Sequence, residues 1–219
     1  MSTDNGLDIG KKIRAARQEQ GMSLRGLAAK ASVSPSMLSQ IENNHANPSV
    51  TTLYNIAEAL SISVNYFFPD PESVPERPNA PIVLADKTAS DLRADYGNGM
   101  VLVLQPGAVS PVVTMASRLA IELKNGVRWE RLTAAEEKDI QFLEIQYRPG
   151  TSSGETMSHH SGREFGLVFA GVLTLEVGFE RYTLKPGDSI IFDSTTPHRL
   201  SNQGKETMRA IWVVINRAP

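Results

Sequence analysis

The sequence predicts a multidomain chain of α plus all-β class. A five-helix unit is expected over residues 1–68, a proline-rich linker over 69–82, and a barrel or sandwich of short antiparallel strands over 83–219. Three observations predict this. Apolar residues between Ile9 and Leu60 recur at helical spacing. Pro69, Pro71, Pro75, Pro78 and Pro81 then crowd together among polar neighbours, which bars both a continuous helix and a sheet interior. From Ile82 onward, short apolar runs alternate with turn signals such as Pro106-Gly107, Pro149-Gly150 and Pro186-Gly187.

The helical unit can be read residue by residue. Residues 9–20 form a first helix with Ile9, Ile13 and Ala16 inward, and Gly21 ends it. Ser23 is a natural N-cap for a second helix carrying Leu24, Leu27, Ala28 and Ala31. The period breaks at Ser32-Val33-Ser34; Ser34 caps a third helix, Pro35 suits its first position, and Leu38 and Ile41 resume the pattern. Ser49 caps a fourth helix with the stripe Val50, Leu53, Ile56, Ala57 and Leu60, and 65–68 adds a fifth short turn that buries Phe67 and Phe68. Two short helices joined tightly, with one presented outward, suit the reading of a DNA major groove.

Strands are expected at 100–104, 112–115, 120–123, 140–147, 165–169, 172–177, 189–192 and 208–215, with one extra helical turn near 133–138. Gly166, Gly171 and Gly178 are spaced as turn residues in strands. Trp129, Trp212, Met115 and Met208 read as core.

Composition narrows the function classes. At 219 residues and 41% hydrophobic content the chain can bury a core in two modest domains. The absence of cysteine excludes a disulfide framework and thiolate chemistry. No signal peptide or membrane anchor is visible, because the longest apolar runs are far too short to span a bilayer, so a cytoplasmic location is expected. The net charge of −2 does not suggest a nucleic-acid partner, but its distribution does. Lys11, Lys12, Arg14, Arg17, Arg25 and Lys30 face only Glu19 and Glu42 between Gly10 and Val50. Neither a nucleophile elbow nor a phosphate-binding glycine loop is present, and no catalytic residue is expected.

Ser23-Leu-Arg-x-Leu-Ala, Val33-Ser-Pro-Ser-x-Leu-Ser-Gln-Ile-Glu and Asn47-Pro-Ser-x-x-Thr-Leu stand in order between about Gly10 and Phe68. This segment resembles the lambda-repressor-like helix-turn-helix family, in particular the xenobiotic-response-element class. The resemblance implies that Arg17 pairs with Glu42 and fixes the third helix against the first. Helical geometry puts Pro35, Ser36, Ser39, Gln40 and Asn43 on one outward side, opposite Leu38 and Ile41. Gln40 suits a bidentate contact to adenine, and Ser23, Arg25, Asn43, Asn44 and Asn47 suit phosphate contacts. The alternative is a solvated helix in a protein-interaction domain.

The second constellation is Ser158-His159-His160-Ser161-Gly162-Arg163-Glu164-Phe165-Gly166, with Gly171, Lys185-Pro-Gly-Asp-Ser189 and Pro197-His198-Arg-Leu-Ser-Asn202. It resembles the cupin superfamily, whose fold is a double-stranded β-helix, or jelly-roll barrel. His160, Glu164 and Gly171 fit the first family motif, whose leading histidine is here Ser158. Gly187, His198 and Asn202 fit the second, whose intervening proline and glycine are here Asp193 and Thr195. The resemblance implies a metal set of His160, Glu164 and His198, which suits iron, manganese, nickel or zinc. His159 is a substitute ligand only if it turns inward, and the same side chains can instead hydrogen-bond one another without metal. Arg163, Arg181 and Arg199 are candidates to meet an anionic effector, although arginines on strands are more often solvated or paired.

The combined order resembles a family of bacterial regulators in which a cupin barrel senses a small molecule. The resemblance implies a sequence-specific repressor that binds a palindromic operator as a homodimer, with half-sites about 34 Å apart. The alternatives are a mononuclear non-haem iron oxygenase resembling hydroxypropylphosphonate epoxidase, and a scaffold protein with no DNA target.

Overall fold

A computed structural model describes residues 7–69 and 112–216. The expected linker, apart from Pro69, and the expected strand at 100–104 lie outside the described residues. Among the described residues no helix is long and apolar enough to cross a membrane.

Among the described residues the N-terminal unit has four α-helices: α1 (Leu7–Glu19), α2 (Leu24–Lys30), α3 (Pro35–Glu42) and α4 (Val50–Ala59). Ser23, Ser34 and Ser49 cap the last three as their spacing predicts, accepting from the backbone N–H of Gly26, Met37 and Thr52. The expected fifth helix is a single 3-10 turn, Val64–Phe67. Phe68 is already extended, at φ −67° and ψ 150°, as the residue before Pro69 must be, so no room remains for an α-helical ladder. Ile13, Leu27, Leu38, Leu53, Ile56 and Phe67 form the buried centre. Arg17 on α1 makes the implied contact with Glu42, its Nε 2.6 Å from Oε1 and Nη2 2.8 Å from Oε2, while Nη1 donates to the Met22 carbonyl at 2.8 Å. The Glu42 side chain is almost wholly buried, so this pair locks α3 in place.

The C-terminal unit is built from β1 (Leu119–Glu122), β2 (Val127–Arg131), β3 (Ile140–Tyr147), β4 (Arg163–Ala170), β5 (Leu173–Val177), β6 (Glu180–Leu184), β7 (Ser189–Asp193), β8 (His198–Ser201) and β9 (Met208–Ile215). They form two antiparallel sheets, ordered β1-β2-β3-β9-β4-β7 and β6-β5-β8. Isolated bridges Ser152–Ser201 and Ser158–His198 extend the smaller sheet. The inner faces enclose Trp129, Leu143, Tyr147, Leu200, Trp212 and Val214. Among the described residues the two sheets do not close into a complete barrel.

Several strand expectations need correction. The apolar run at 112–115 is not a strand; a 3-10 turn, Met115–Ser117, stands there, and Met115 is 72% exposed rather than core. No helical turn forms at 133–138, which is bend and loop. Three strands escape a search for apolar runs. β2 alternates Val127, Trp129 and Arg131 inward with charged residues outward; β6 buries only Leu184; β8 is short and opens on a histidine. Gly166 lies in the middle of β4, not at a turn: a Cβ there would come within 2.1 Å of the Trp212 ring, which lies flat against the strand.

The two units touch through α4 and its flanks. The Thr51 N–H donates to the Ser153 carbonyl at 3.1 Å, and the Lys124 N–H to the Pro48 carbonyl at 2.9 Å. Tyr54 Oη donates to Gln141 Oε1 at 3.0 Å, and Asn65 Nδ2 to the carbonyls of Glu137 and Ile140 at 2.8 and 3.2 Å. The Arg131 guanidinium sits 5.7 Å from the Phe68 ring centre.

Substituting Arg17→Ala leaves Glu42 buried and unpaired. Denaturant melts should show a loss of about 3 kcal/mol, with the double variant Arg17→Ala/Glu42→Gln losing less. Equal losses in both would remove the buried charge as the cause.

Candidate functional site

The helical unit presents the polar face expected of it. Pro35, Ser36, Gln40 and Asn43 are exposed and Ser39 is half-buried, while Leu38 and Ile41 point into the core. Ser23, Arg25 and Asn47 are exposed, and Asn44 is half-buried with a left-handed backbone at φ 57°. Asn43 is partly committed already, since its Nδ2 donates to the Ser39 carbonyl at 2.7 Å and caps the end of α3. Met37, to which the sequence assigns no role, is also exposed on α3. Gln40 and Asn47 also line a cleft of about 950 Å³ between the units, whose far wall carries Lys124 and Arg148.

Inside the β unit, His160 in the loop before β4, Glu164 on β4 and His198 at the start of β8 converge. Their candidate ligand atoms all lie within 4.8 Å of one another. His160 Nδ1 is 3.1 Å from the Ser161 carbonyl and His198 Nδ1 is 2.9 Å from the Thr196 carbonyl. A carbonyl can only accept, so both Nδ1 atoms carry the proton and both Nε2 atoms turn toward the centre. There they stand 3.1 and 3.2 Å from Glu164 Oε1, which among the described residues has no aligned hydrogen bond. Glu164 Oε2 accepts from Trp212 Nε1 at 2.6 Å.

Electrostatics follow from this arrangement. Burial lowers the pKa of His160, but the Glu164 carboxylate outweighs it and the net shift is upward. Burial raises the pKa of Glu164, but the two histidines outweigh it and the net shift is downward. Burial keeps His198 below its ordinary value despite Glu164. Two lone-pair nitrogens facing a carboxylate oxygen require a positive charge among them, either a proton on His160 or a cation. The residues therefore fit a divalent metal, with both nitrogen tautomers already set and one carboxylate oxygen uncommitted.

The other motif positions are structural. Ser158, in place of the leading histidine, exchanges two backbone hydrogen bonds with His198 at 2.9 and 3.0 Å. His159 is exposed and is not a member of the cluster. Asn202 donates to the carbonyls of Tyr147 and Glu206, both at 2.7 Å. Arg181 and Arg199 both hold Glu176, at 2.8 and 2.6 Å, and Arg163 lies 5.9 Å from the Phe165 ring centre, so none faces the cluster. Met208 is fully buried core. Trp129 and Trp212 are core as expected, and they also wall the cavity at the cluster.

Sequence reading missed the contribution of α4. Tyr54 lies outside the apolar stripe of that helix, and its ring stacks on His160 with centres 4.2 Å apart and planes 6° apart. Val50 and Tyr54 close a cavity of about 20 Å³, room for one water or one ion, over His160, Glu164 and His198. Tandem His and Glu residues signal a cluster in a sequence; a tyrosine from another domain carries no such signal.

The helix-turn-helix family matches residues 13–67 and the cupin-domain family matches residues 143–214. The chain thus joins a helix-turn-helix domain of the lambda-repressor-like kind to a cupin domain. It is 27% identical over 95% of its length to the HTH-type transcriptional regulator PuuR of Escherichia coli (strain K12), of which it covers 95%. It is 26% identical over 90% of its length to the HTH-type transcriptional regulator SutR of the same strain, of which it covers 88%. The crystal structure of an HTH_3 family transcriptional regulator from Vibrio cholerae shares the fold, with a TM-score of 0.60, 20% identity and 98% coverage of both chains.

Replacing Trp212 with Phe removes the only N–H that Trp212 offers Glu164 and strands a buried carboxylate oxygen. Equilibrium unfolding should register a loss of about 1–3 kcal/mol. An unchanged midpoint would show that Oε2 finds another donor.

Proposed function

We propose that this chain is a sequence-specific DNA-binding transcriptional regulator, of repressor type, whose cupin domain senses a small molecule in the cytoplasm. The observation that carries the reading is the third helix, polar and exposed along Pro35, Ser36, Gln40 and Asn43 and held by the buried Arg17–Glu42 pair. The regulators to which the chain is similar along nearly its whole length support it, and they disfavour the oxygenase alternative. Gln40, Ser36 and Ser39 read bases, while Ser23, Arg25, Asn43, Asn44 and Asn47 anchor phosphates. One such domain offers few base contacts, so a homodimer on a palindromic operator supplies the specificity. The two sheets are the two halves of a jelly-roll, or double-stranded β-helix, with the ligand held between them.

A divalent cation, iron, manganese, nickel or zinc, would be held by His160 Nε2, His198 Nε2 and Glu164 Oε1. It would supply a Lewis-acidic anchor for a polar group of the effector. The chain's own residues orient it: the Ser161 and Thr196 carbonyls set the imidazoles, and Trp212 sets the carboxylate.

Selection of bound fragments from genomic DNA should return one palindromic motif. On that motif Gln40→Ala should weaken binding by about 1–3 kcal/mol, and Arg25→Ala should weaken it on all sequences while reducing the salt slope by about one. Binding of every sequence alike would sink the regulator reading. For the metal, the raised pKa of His160 means that protons compete with the ion through and above its ordinary value of about 6.5. Titration calorimetry should therefore show affinity rising with pH across that range, and a flat profile would remove His160 from the ligand set.

A further inference from the structure

We propose that Tyr54 of the DNA-binding domain occupies the effector's place in the cupin domain, so that effector binding lifts α4 off the barrel mouth. The inference rests on the sensor reading above and adds the route by which sensing reaches the DNA-binding face.

Volume makes the argument. A cavity of about 20 Å³ admits a water or an ion, whereas sites for metabolites measure some 300 Å³ or more. The space above the cluster is taken by the Tyr54 ring, which lies flat on His160, meets Trp129 edge-on at 6.0 Å and is pinned at its hydroxyl by Gln141. The side chain thus makes the contacts a small ligand would make: a stack on an imidazole, an aromatic edge and one hydrogen bond. The remaining walls are mostly apolar or aromatic, among them Leu143, Ile145, Tyr147 and Leu200, with Ser153 and Ser158 as polar exceptions, and the floor is His160, Glu164 and His198. The effector is accordingly a small molecule with an apolar or planar body and one group that bonds the imidazole–carboxylate floor.

Tyr54 is rooted in the DNA-binding core. Its neighbours Leu53, Ile56 and Leu60 are fully buried there, so space cleared at the barrel mouth moves the helix-turn-helix unit rather than a loop. The rest of the contact is largely polar: Asn65 Nδ2 reaches the Glu137 and Ile140 carbonyls, and Arg131 lies against the Phe68 ring. Thr51 rests against Gly154, where any side chain would meet its Oγ1 at 2.4 Å, and backbone bonds at Thr51 and Pro48 complete this edge. Such an interface opens readily. Because Gln40 and Asn47 border the adjoining cleft, its opening changes what stands beside the recognition helix.

The test uses the full chain, freed of metal with a chelator. The chain has no cysteine, so nitroxides at Lys30→Cys and Phe179→Cys, both exposed, report the distance between the units. The probe is 4-methylphenol, the detached side chain of Tyr54. The parent should give a narrow distance distribution that broadens as the probe saturates. Tyr54→Ala should give a broad distribution from the start and bind the probe at least tenfold more tightly, because the tethered competitor is gone. Gly154→Val leaves every cavity residue in place and wedges the interface apart. It should reproduce both effects, and it decides the matter should Tyr54→Ala fail to fold.

Equal affinity in the parent and the opened variants overturns the proposal, as does no binding by any of them or a distance unmoved by bound probe. None of these readouts needs DNA. If they hold and no operator is found, the regulator reading falls and the shared site stands. If an operator is released by a metabolite without a change in distance, the shared site falls alone.

Discussion

A single buried carboxylate organises the cupin half of the molecule. Glu164 is 4% exposed, and a charge so placed is tolerable only among donors and positive charge. Its partners come from separate elements: Trp212 from β9, His198 from β8, and His160 from the loop ahead of β4. The demand propagates outward. Trp212 can reach Oε2 only by lying across Gly166, and the β4–β9 register that pairs Gly166 with Trp212 makes that crossing possible. His198 and Ser158 are held opposite each other by paired backbone bonds, and the Ser161 and Thr196 carbonyls fix the two tautomers. The carboxylate thus ties the two sheets together at one point.

The helical half is organised by an analogous interaction of different consequence. Glu42 is also buried, but Arg17 meets it with two parallel hydrogen bonds and completes its own donor set on the Met22 carbonyl. That charge is neutralised within the domain and serves rigidity: α3 is presented at a fixed angle to α1. At Glu164 the compensation is conditional: among the described residues Oε1 has no aligned donor until a proton sits on the facing His160 nitrogen, 3.1 Å away. A satisfied buried pair supports a scaffold, and an unsatisfied one invites a ligand, a proton or an ion.

Between the two stands α4, which has two faces with different duties. Val50 and Tyr54 turn to the cupin domain, while Leu53, Ile56 and Leu60 hold the helix in its own core. Burial and Glu164 both raise the Tyr54 pKa, so the phenol stays neutral and donates to Gln141. A helix that belongs rigidly to one domain and plugs the other is a mechanical link. The helix-turn-helix domain thereby supplies one wall of the cavity at the cupin cluster.

Much of this was legible in the residues. The capping serines and the outward face of α3 follow from local spacing, because helix periodicity is a property of the chain itself, whereas the Arg17–Glu42 pair and the trio His160, Glu164 and His198 were legible only through motifs that resemble known families. Where local signals are weak, reading failed. β2 and β6 hide behind charged residues, Met115 belongs to an apolar run that is exposed, and the fifth helix stops against Pro69. The sequence by itself determined the helical and the strand-rich unit, the first four helices and the chemical groups of the site. Only the tertiary structure decided that Tyr54 lies on His160, that Trp212 crosses Gly166 and that both imidazole nitrogens face Glu164 Oε1, because each depends on segments far apart in the chain meeting at one place.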